Sequence, residues 1–375
     1  MTENKSHPYR SAPDTAFWNR SVSNGFSASE LMRDEKIFRH GEKIASAGSC
    51  FAANIVPYLD DAGFHYIRTE QIPDGFGDLA TDNYSYRKFS AAYGNIYTAR
   101  QARQLLERAL GLFSPREDRW YETDGSVVDA FRPGLRFRAQ SDAEFDFITK
   151  RHLERVVDVF RQADVFVFTL GLTEAWQSTL DGAVFPACPG TVAGTYSDER
   201  HGFINFRHGE VASDLASFVE LARRINPAIR FVLTVSPVPL VATATAQHIL
   251  TATIYSKSTL RAAAGDVCAS LEGISYFPAY EIVTGPQAPH DFFESDRREP
   301  SQKAIREVMR ALLTHCETGY QIEPEEEVIG SSGKEAAPSS APIGAATAKK
   351  GPASMSDQLS QFAAQADCEE AAAGL

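Results

Sequence analysis

The chain alternates between two hydrophobic periods. Short runs that are apolar at nearly every position are followed by longer stretches in which apolar residues recur every three or four positions. Lys43 to Ala47 reads as a buried strand, and Ala52 to Ala62 as a helix with Ile55, Val56 and Leu59 on one face. Phe64 to Ile67 predicts a second, short strand. Thr98 to Leu110 predicts a helix, and Trp120 to Arg138, rich in Val, Phe, Tyr and Gly, a small β excursion. Ala143 to Gln162 predicts a long helix that runs into "DVFVFTLG", Asp164 to Gly171, a strand buried on both faces. Ser213 to Ile225 is helical by the same pattern, and Ala228 to Leu240 is a buried strand ended by two prolines. Thr251 to Leu271 predicts a helix, "GISYFPAYEIV" a strand, and Ser301 to Cys316 a closing helix.

Fully apolar strands alternating with helices indicate an α/β three-layer sandwich, with a central, mostly parallel sheet covered on both faces. Its crossovers should be right-handed. Ligands in such sheets bind beyond the carboxyl ends of the strands, so residues just after a strand are site candidates. Residues 1–320 are assigned to this domain. Tyr9, Phe17 and Trp18 are read as anchors of an N-terminal arm packed on its surface. Residues 321–375 change character: Ala, Ser, Pro, Gly and Glu dominate, and such a tail is expected to stay disordered. Within it, Leu359, Phe362, Ala363 and Ala366 fall at helical spacing after Ser356. That spacing has two readings, a short helix over 356–367 that docks on a protein partner, or chance in an Ala-rich segment.

Charge and cysteine usage narrow the classes. The formal net charge of −12 over 375 residues, with no basic stripe, argues against nucleic-acid binding. No apolar run approaches the ~18 residues needed to span a bilayer, and the N-terminus has no apolar signal core. The five cysteines show no paired or metal-type spacing, which predicts a reducing, cytoplasmic setting and no metal. No nucleotide or dinucleotide loop is present, so no cofactor is expected.

Several loops fall at the same predicted sheet edge. In "AGSCFA", Gly48 eases a turn, and Ser49 and Cys50 sit where a helix begins. There a thiol ionises more readily and becomes a better nucleophile, while a serine either caps the helix or attacks through a base. In "YGNIYT", Gly94 and Asn95 offer N–H donors for an oxyanion hole, or form an ordinary turn. In "TLGLTEAW", Thr173 offers a weak donor and Glu174 a carboxylate; a helix cap with Glu174 in its first turn is the structural alternative. His248 and His290 follow later strands, and a histidine at a cleft edge suits general-base work.

The string Gly48-Ser49-Cys50-Phe51-Ala52 resembles the signature of the GSCFA family, itself similar to a branch of the SGNH (GDSL-type) hydrolases. The resemblance covers roughly residues 8–315 and includes "NYSYRKFSAAYGNIYTARQ", "TLGLTEAW", "TVSPVPL", "YSKS" and "YFPAYEIVTGP". It implies a flavodoxin-like sheet order, with Cys50 in the nucleophile's place and Ser49 in that of the preceding aspartate. Gly94 then matches the oxyanion glycine, and Thr173 stands where an asparagine donor belongs. In the closing block, Glu299 occupies the usual histidine position after Asp296, so His248 or His290 would have to supply the base. The implied activity is that of an esterase or acyltransferase working through an acyl-enzyme, on a small-molecule or polysaccharide ester such as an O-acylated sugar. The broken histidine block supports the alternative, a non-catalytic binding or scaffold protein on a degenerate hydrolase fold.

Overall fold

A computed structural model describes residues 7–32, 36–70, 88–135 and 138–322. The expected tail helix over 356–367, and all of the tail beyond residue 322, lie outside the described residues. The central sheet contains β1 (Lys43–Gly48), β2 (His65–Tyr66), β5 (Val165–Leu170), β9 (Arg230–Val235) and β10 (Ile274–Tyr276). Its order is β10-β9-β5-β1-β2 and every pairing is parallel, the flavodoxin-like arrangement the resemblance implied.

Side-chain alternation divides the core into two layers. Val165, Val167 and Val232 point to one face, and Phe166, Phe168, Phe231 and Leu233 to the other. The valine face is covered by α2 (Ile55–Asp61), α7 (Ala279–Thr284) and α8 (Gln302–Thr314). The phenylalanine face is covered by α3 (Ala99–Ala109), α4 (Asp142–Gln162), α5 (His208–Ile225) and α6 (Ile249–Ser270). There Phe160 stacks on Phe166 at 4.8 Å, and Phe218 meets both edge-on. Fully burying each such ring is worth about 1.5–3 kcal/mol, so this cluster fixes α4 and α5 against the middle of the sheet.

The β excursion is present as a hairpin of β3 (Arg119–Tyr121) and β4 (Val127–Asp129). Three local expectations are corrected. Glu174 does not begin a helix. It opens β6 (Glu174–Ser178), which pairs with β7 (Val184–Phe185) and β8 (His201–Asn205) in a small antiparallel sheet. The aromatic residues Trp176, Phe185 and Phe203 pack across those strands, where aromatic side chains are favoured. The stretch "GISYFPAYEIV" is a strand only to Tyr276. Pro278 cannot donate to a ladder and instead precedes the first residue of α7. The N-terminal stretch forms short helical turns, including α1 (Trp18–Ser21), and Tyr9 and Trp18 are 71% and 63% exposed rather than buried anchors. Packing of that stretch on the core includes Phe26 and the buried Ala28, the latter in a turn that contacts α8.

Candidate active site

The site is built at the end of β1, and a close approach of backbones dictates its first residue. Gly48 has φ 153°, and a Cβ there would lie 2.5 Å from the carbonyl oxygen of Thr169 and 2.9 Å from Cβ of Ala52. Only glycine lets β1 reach this far along β5 before turning. The turn is held by the Ser49 N–H donating to Thr169 O (3.4 Å) and the Ile96 N–H donating to Gly48 O (2.8 Å). The second bond brings the loop holding Gly94, Asn95 and Tyr97 onto the turn. Gly94 has φ 68°, the left-handed conformation that bends this loop. The Tyr97 carbonyl in turn accepts from the N–H groups of Gly171 and Leu172, just past β5.

Ser49 and Cys50 differ in what they face. Ser49 is buried, and its Oγ has no hydrogen-bond partner. A Cβ on Gly171 would come within 3.2 Å of Ser49 Cβ, so that side is packed by backbone. Cys50 is half-buried and opens a 3-10 turn, Cys50–Asn54, that leads into α2; the Ser49 side chain does not cap it. The Sγ of Cys50 lies 4.0 Å from Asn95 Nδ2, which also donates to the Tyr97 hydroxyl at 3.0 Å.

The other residues singled out from the sequence stand as follows. Thr173 is fully buried. Its N–H donates to Ser256 Oγ (2.9 Å) and its hydroxyl to Asn205 Oδ1 (2.7 Å), so the hydroxyl is turned onto β8. Glu174 accepts from the Thr243 hydroxyl (2.7 Å) and the Ala244 N–H (3.2 Å), tying the loop after β9 to β6. His248 is exposed and caps α6, its Nδ1 accepting from the Leu250 N–H at 3.2 Å. His290 is exposed in a short 3-10 turn. Glu299 pairs with Arg298 at 3.1 Å. His248 thus bonds Leu250 and Glu299 bonds Arg298, whereas Asn95 lies beside Cys50 and bonds Tyr97.

Sequence reasoning missed Lys257. Its side chain is buried, and Nζ donates to the carbonyl of Gly171 at 2.6 Å, placing an ammonium behind the residue that packs on Ser49. The signal was there: Lys257 falls next to the stripe Ala252, Ser256, Leu260, Ala263 and Val267 that α6 buries. Also missed was a buried charged cluster beside the Asn95 loop. Glu70 accepts from the Ala92 N–H (2.8 Å) and bonds His152 Nδ1 (2.7 Å), while Arg132 bonds Asp129 (2.7 Å) and the Ala92 carbonyl (3.2 Å). Burial and Arg132 push the His152 imidazole below its ordinary value. Burial opposes ionisation of Glu70 and Asp129, but His152 and Arg132 beside Glu70, and Arg132 and Arg108 beside Asp129, outweigh it and hold both carboxyls low.

A cavity of about 270 Å³ opens beside this turn, lined by Tyr97, Leu172, Trp176, Phe203, Leu240 and Thr243 among others. Trp176 meets Phe203 and Tyr196 edge-on at 5.7 and 5.4 Å, which fixes its indole in the wall. Cys50, Cys188, Cys268 and Cys316 form no disulfide, no cluster of metal-ligating residues occurs among the described residues, and no described helix is long and apolar enough to cross a membrane.

The family model for the GSCFA family matches residues 43–312, and the chain belongs to that family. Among curated proteins nothing matches it. Among solved structures it is similar in fold to a carbohydrate esterase family 3 protein from Talaromyces cellulolyticus, with 8% identity, TM-score 0.32, and coverage of 72% of this chain and 94% of that one. It is also similar to the acetyl xylan esterase Est2A from the rumen bacterium Butyrivibrio proteoclasticus, with 12% identity, TM-score 0.29, and coverage of 73% and 63%. A third is the salicylyl-acyltransferase SsfX3 from a tetracycline biosynthetic pathway, with 13% identity, TM-score 0.24, and coverage of 42% and 38%. The chain thus spans less than two thirds of the length of the last two.

Proposed function

We propose that the protein is an acyl-transfer enzyme of the esterase type, with Cys50 as nucleophile. The observation that carries this reading is the amide of Asn95 directed at Cys50 Sγ, 4.0 Å away, at the carboxyl edge of a parallel sheet. A thiolate at Cys50 attacks the ester carbonyl carbon. The oxyanion that forms is met by Asn95 Nδ2 and by backbone N–H groups at Cys50 and Gly94. The alkoxide leaves with a proton from the enzyme's general acid, and the acyl group stays on sulfur as a thioester. Water or a second hydroxyl then attacks that thioester, its proton passing back to the same group, which releases either the acid or a new ester and restores the thiolate. Buried Ser49 has no such access, and Thr173, committed to Asn205, supports the site structurally. The proton carrier is one of His248, His290 or Lys257.

The substrate proposed is an O-acylated sugar or polysaccharide. An indole held in the wall of the cavity that Tyr97 and Leu172 also line suits the apolar face of a sugar ring. The alternative is a binding protein on the same fold, favoured by Glu299 at the position where the resemblance calls for histidine. The deciding experiment is labelling with a fluorophosphonate and a thiol-directed electrophile, read by peptide mass spectrometry, beside hydrolysis of p-nitrophenyl acetate. Label on Cys50 and turnover, both lost in Cys50→Ala, support the enzyme; the variants His248→Ala, His290→Ala and Lys257→Ala then identify the proton carrier. A folded sample with neither label nor turnover favours the binding protein.

A further inference from the structure

A second, much smaller cavity of about 30 Å³ lies on the other side of Asn95, between α3, α4 and the β4 turn. Its lining includes Asn95, His152, Arg108, Arg132 and Tyr93. Two buried polar atoms of that lining have no hydrogen-bond partner: Oδ1 of Asn95 and Nε2 of His152, the latter on a residue only 2% exposed. Leaving such groups unsatisfied costs about 1–3 kcal/mol each, so a native fold rarely holds two in the lining of one small cavity without an occupant.

The chemistry of the lining selects the occupant. Glu70 is ionised beside Arg132, so the His152 Nδ1–H donates to it and Nε2 carries a lone pair. Asn95 Oδ1 is an acceptor as well. Whatever sits between them must donate to both, which rules out an anion. Arg108 and Arg132 on the same wall disfavour ammonium. The volume suits one water molecule, for which about 10–15 Å³ is the minimum.

We propose that a single buried water donates to both His152 Nε2 and Asn95 Oδ1, making the Glu70–His152 pair a positioning device for Asn95. This rests on the reading of Asn95 as an oxyanion donor. With Oδ1 held from behind, the amide cannot flip, and Nδ2 stays directed at Cys50. The hydrogen-bonded pair does not exchange protons with substrate; it fixes which end of one amide faces the reaction.

The test is a pair of high-resolution crystal structures, wild type and His152→Phe, with steady-state kinetics on the same samples. In the wild type an ordered water is expected within about 3.2 Å of both atoms. In His152→Phe the water is lost, and the Asn95 amide turns or becomes disordered. With p-nitrophenyl acetate, kcat falls about 10- to 100-fold in His152→Phe with KM unchanged, the signature of a loosened oxyanion donor. His152→Gln, which keeps an acceptor, recovers part of that loss; a packing role would show equal losses in both variants together with a lowered melting temperature. A dry cavity in the wild type overturns the proposal. A water that is present while kcat is unchanged in His152→Phe overturns the positioning role. A water that is present in a protein with no turnover and no Cys50 labelling refutes the esterase reading while leaving the water site standing.

Discussion

The turn at Gly48 gives the sharpest test of how the site is built. In Gly48→Ala the new methyl would meet backbone and β-carbons, none of them the end of a flexible side chain: Thr169 O at 2.5 Å, Thr169 Cβ at 2.7 Å and Ala52 Cβ at 2.9 Å. Relieving such crowding costs about 1–3 kcal/mol, and holding alanine at φ 153° adds about 1–3 more, for a loss of roughly 2–6 kcal/mol. Gly94→Ala is the control, because its φ is 68° but nothing lies within 4 Å of the added carbon. It should lose only the left-handed strain, about 1–2 kcal/mol. Urea unfolding followed by tryptophan fluorescence and by circular dichroism reads both. The order expected is wild type, Gly94→Ala, Gly48→Ala, with Cys50 labelling weakened most in the last as β1 is pushed off β5. A Gly48→Ala protein no less stable than Gly94→Ala would show that β1 and β5 do not meet as described.

Acid should destabilise the protein in a defined window. His152, held below its ordinary value of 6.5, and Glu70 and Asp129, held below 4.5 and 3.8, all take up protons more readily in the unfolded chain. Their contribution is complete above pH 6.5 and lost as pH falls, first through His152 and then through the two carboxyls, Glu70 near 2; a urea midpoint that is flat or rises between pH 7 and 3 would refute this, and Glu70→Gln should flatten the slope. Asp214 accepts from Arg100 (2.7 Å) and Arg103 (2.9 Å) between α5 and α3. Because both guanidiniums are partly exposed, Asp214→Ala should lower stability by about 1–3 kcal/mol, measured by the same unfolding. Trp176→Ala removes one wall of the larger cavity, so KM for an acylated sugar should rise with kcat for p-nitrophenyl acetate little changed; equal effects on both substrates would argue against a sugar-binding wall.

Periodicity carried most of the fold. The runs Lys43 to Ala47 and "DVFVFTLG" are mostly apolar on both sides of the pleat because both faces of these strands are covered, and the helices between them show the matching stripes. The small sheet of β6, β7 and β8 escaped that reading because its strands are short and lack a long alternating pattern; they are held by aromatic contacts among Trp176, Phe203 and Tyr196 that are distant in sequence. Likewise "GISYFPAYEIV" is apolar enough for a strand throughout, and only the geometry at Pro278 turns its second half into a helix.

By itself the sequence determined the sheet, its two covering layers and the turn at which Ser49 and Cys50 emerge, because backbone periodicity and glycine are local signals. Tertiary structure decided that Ser49 is buried while Cys50 is only half-buried. It also turned the Thr173 hydroxyl onto Asn205, placed Lys257 behind Gly171, bonded His152 to Glu70, and set His152 and Asn95 around one cavity. These pairings join residues far apart in the chain. No spacing encodes them, since they depend on how the loops close over the sheet edge and on where burial leaves polar atoms in need of partners.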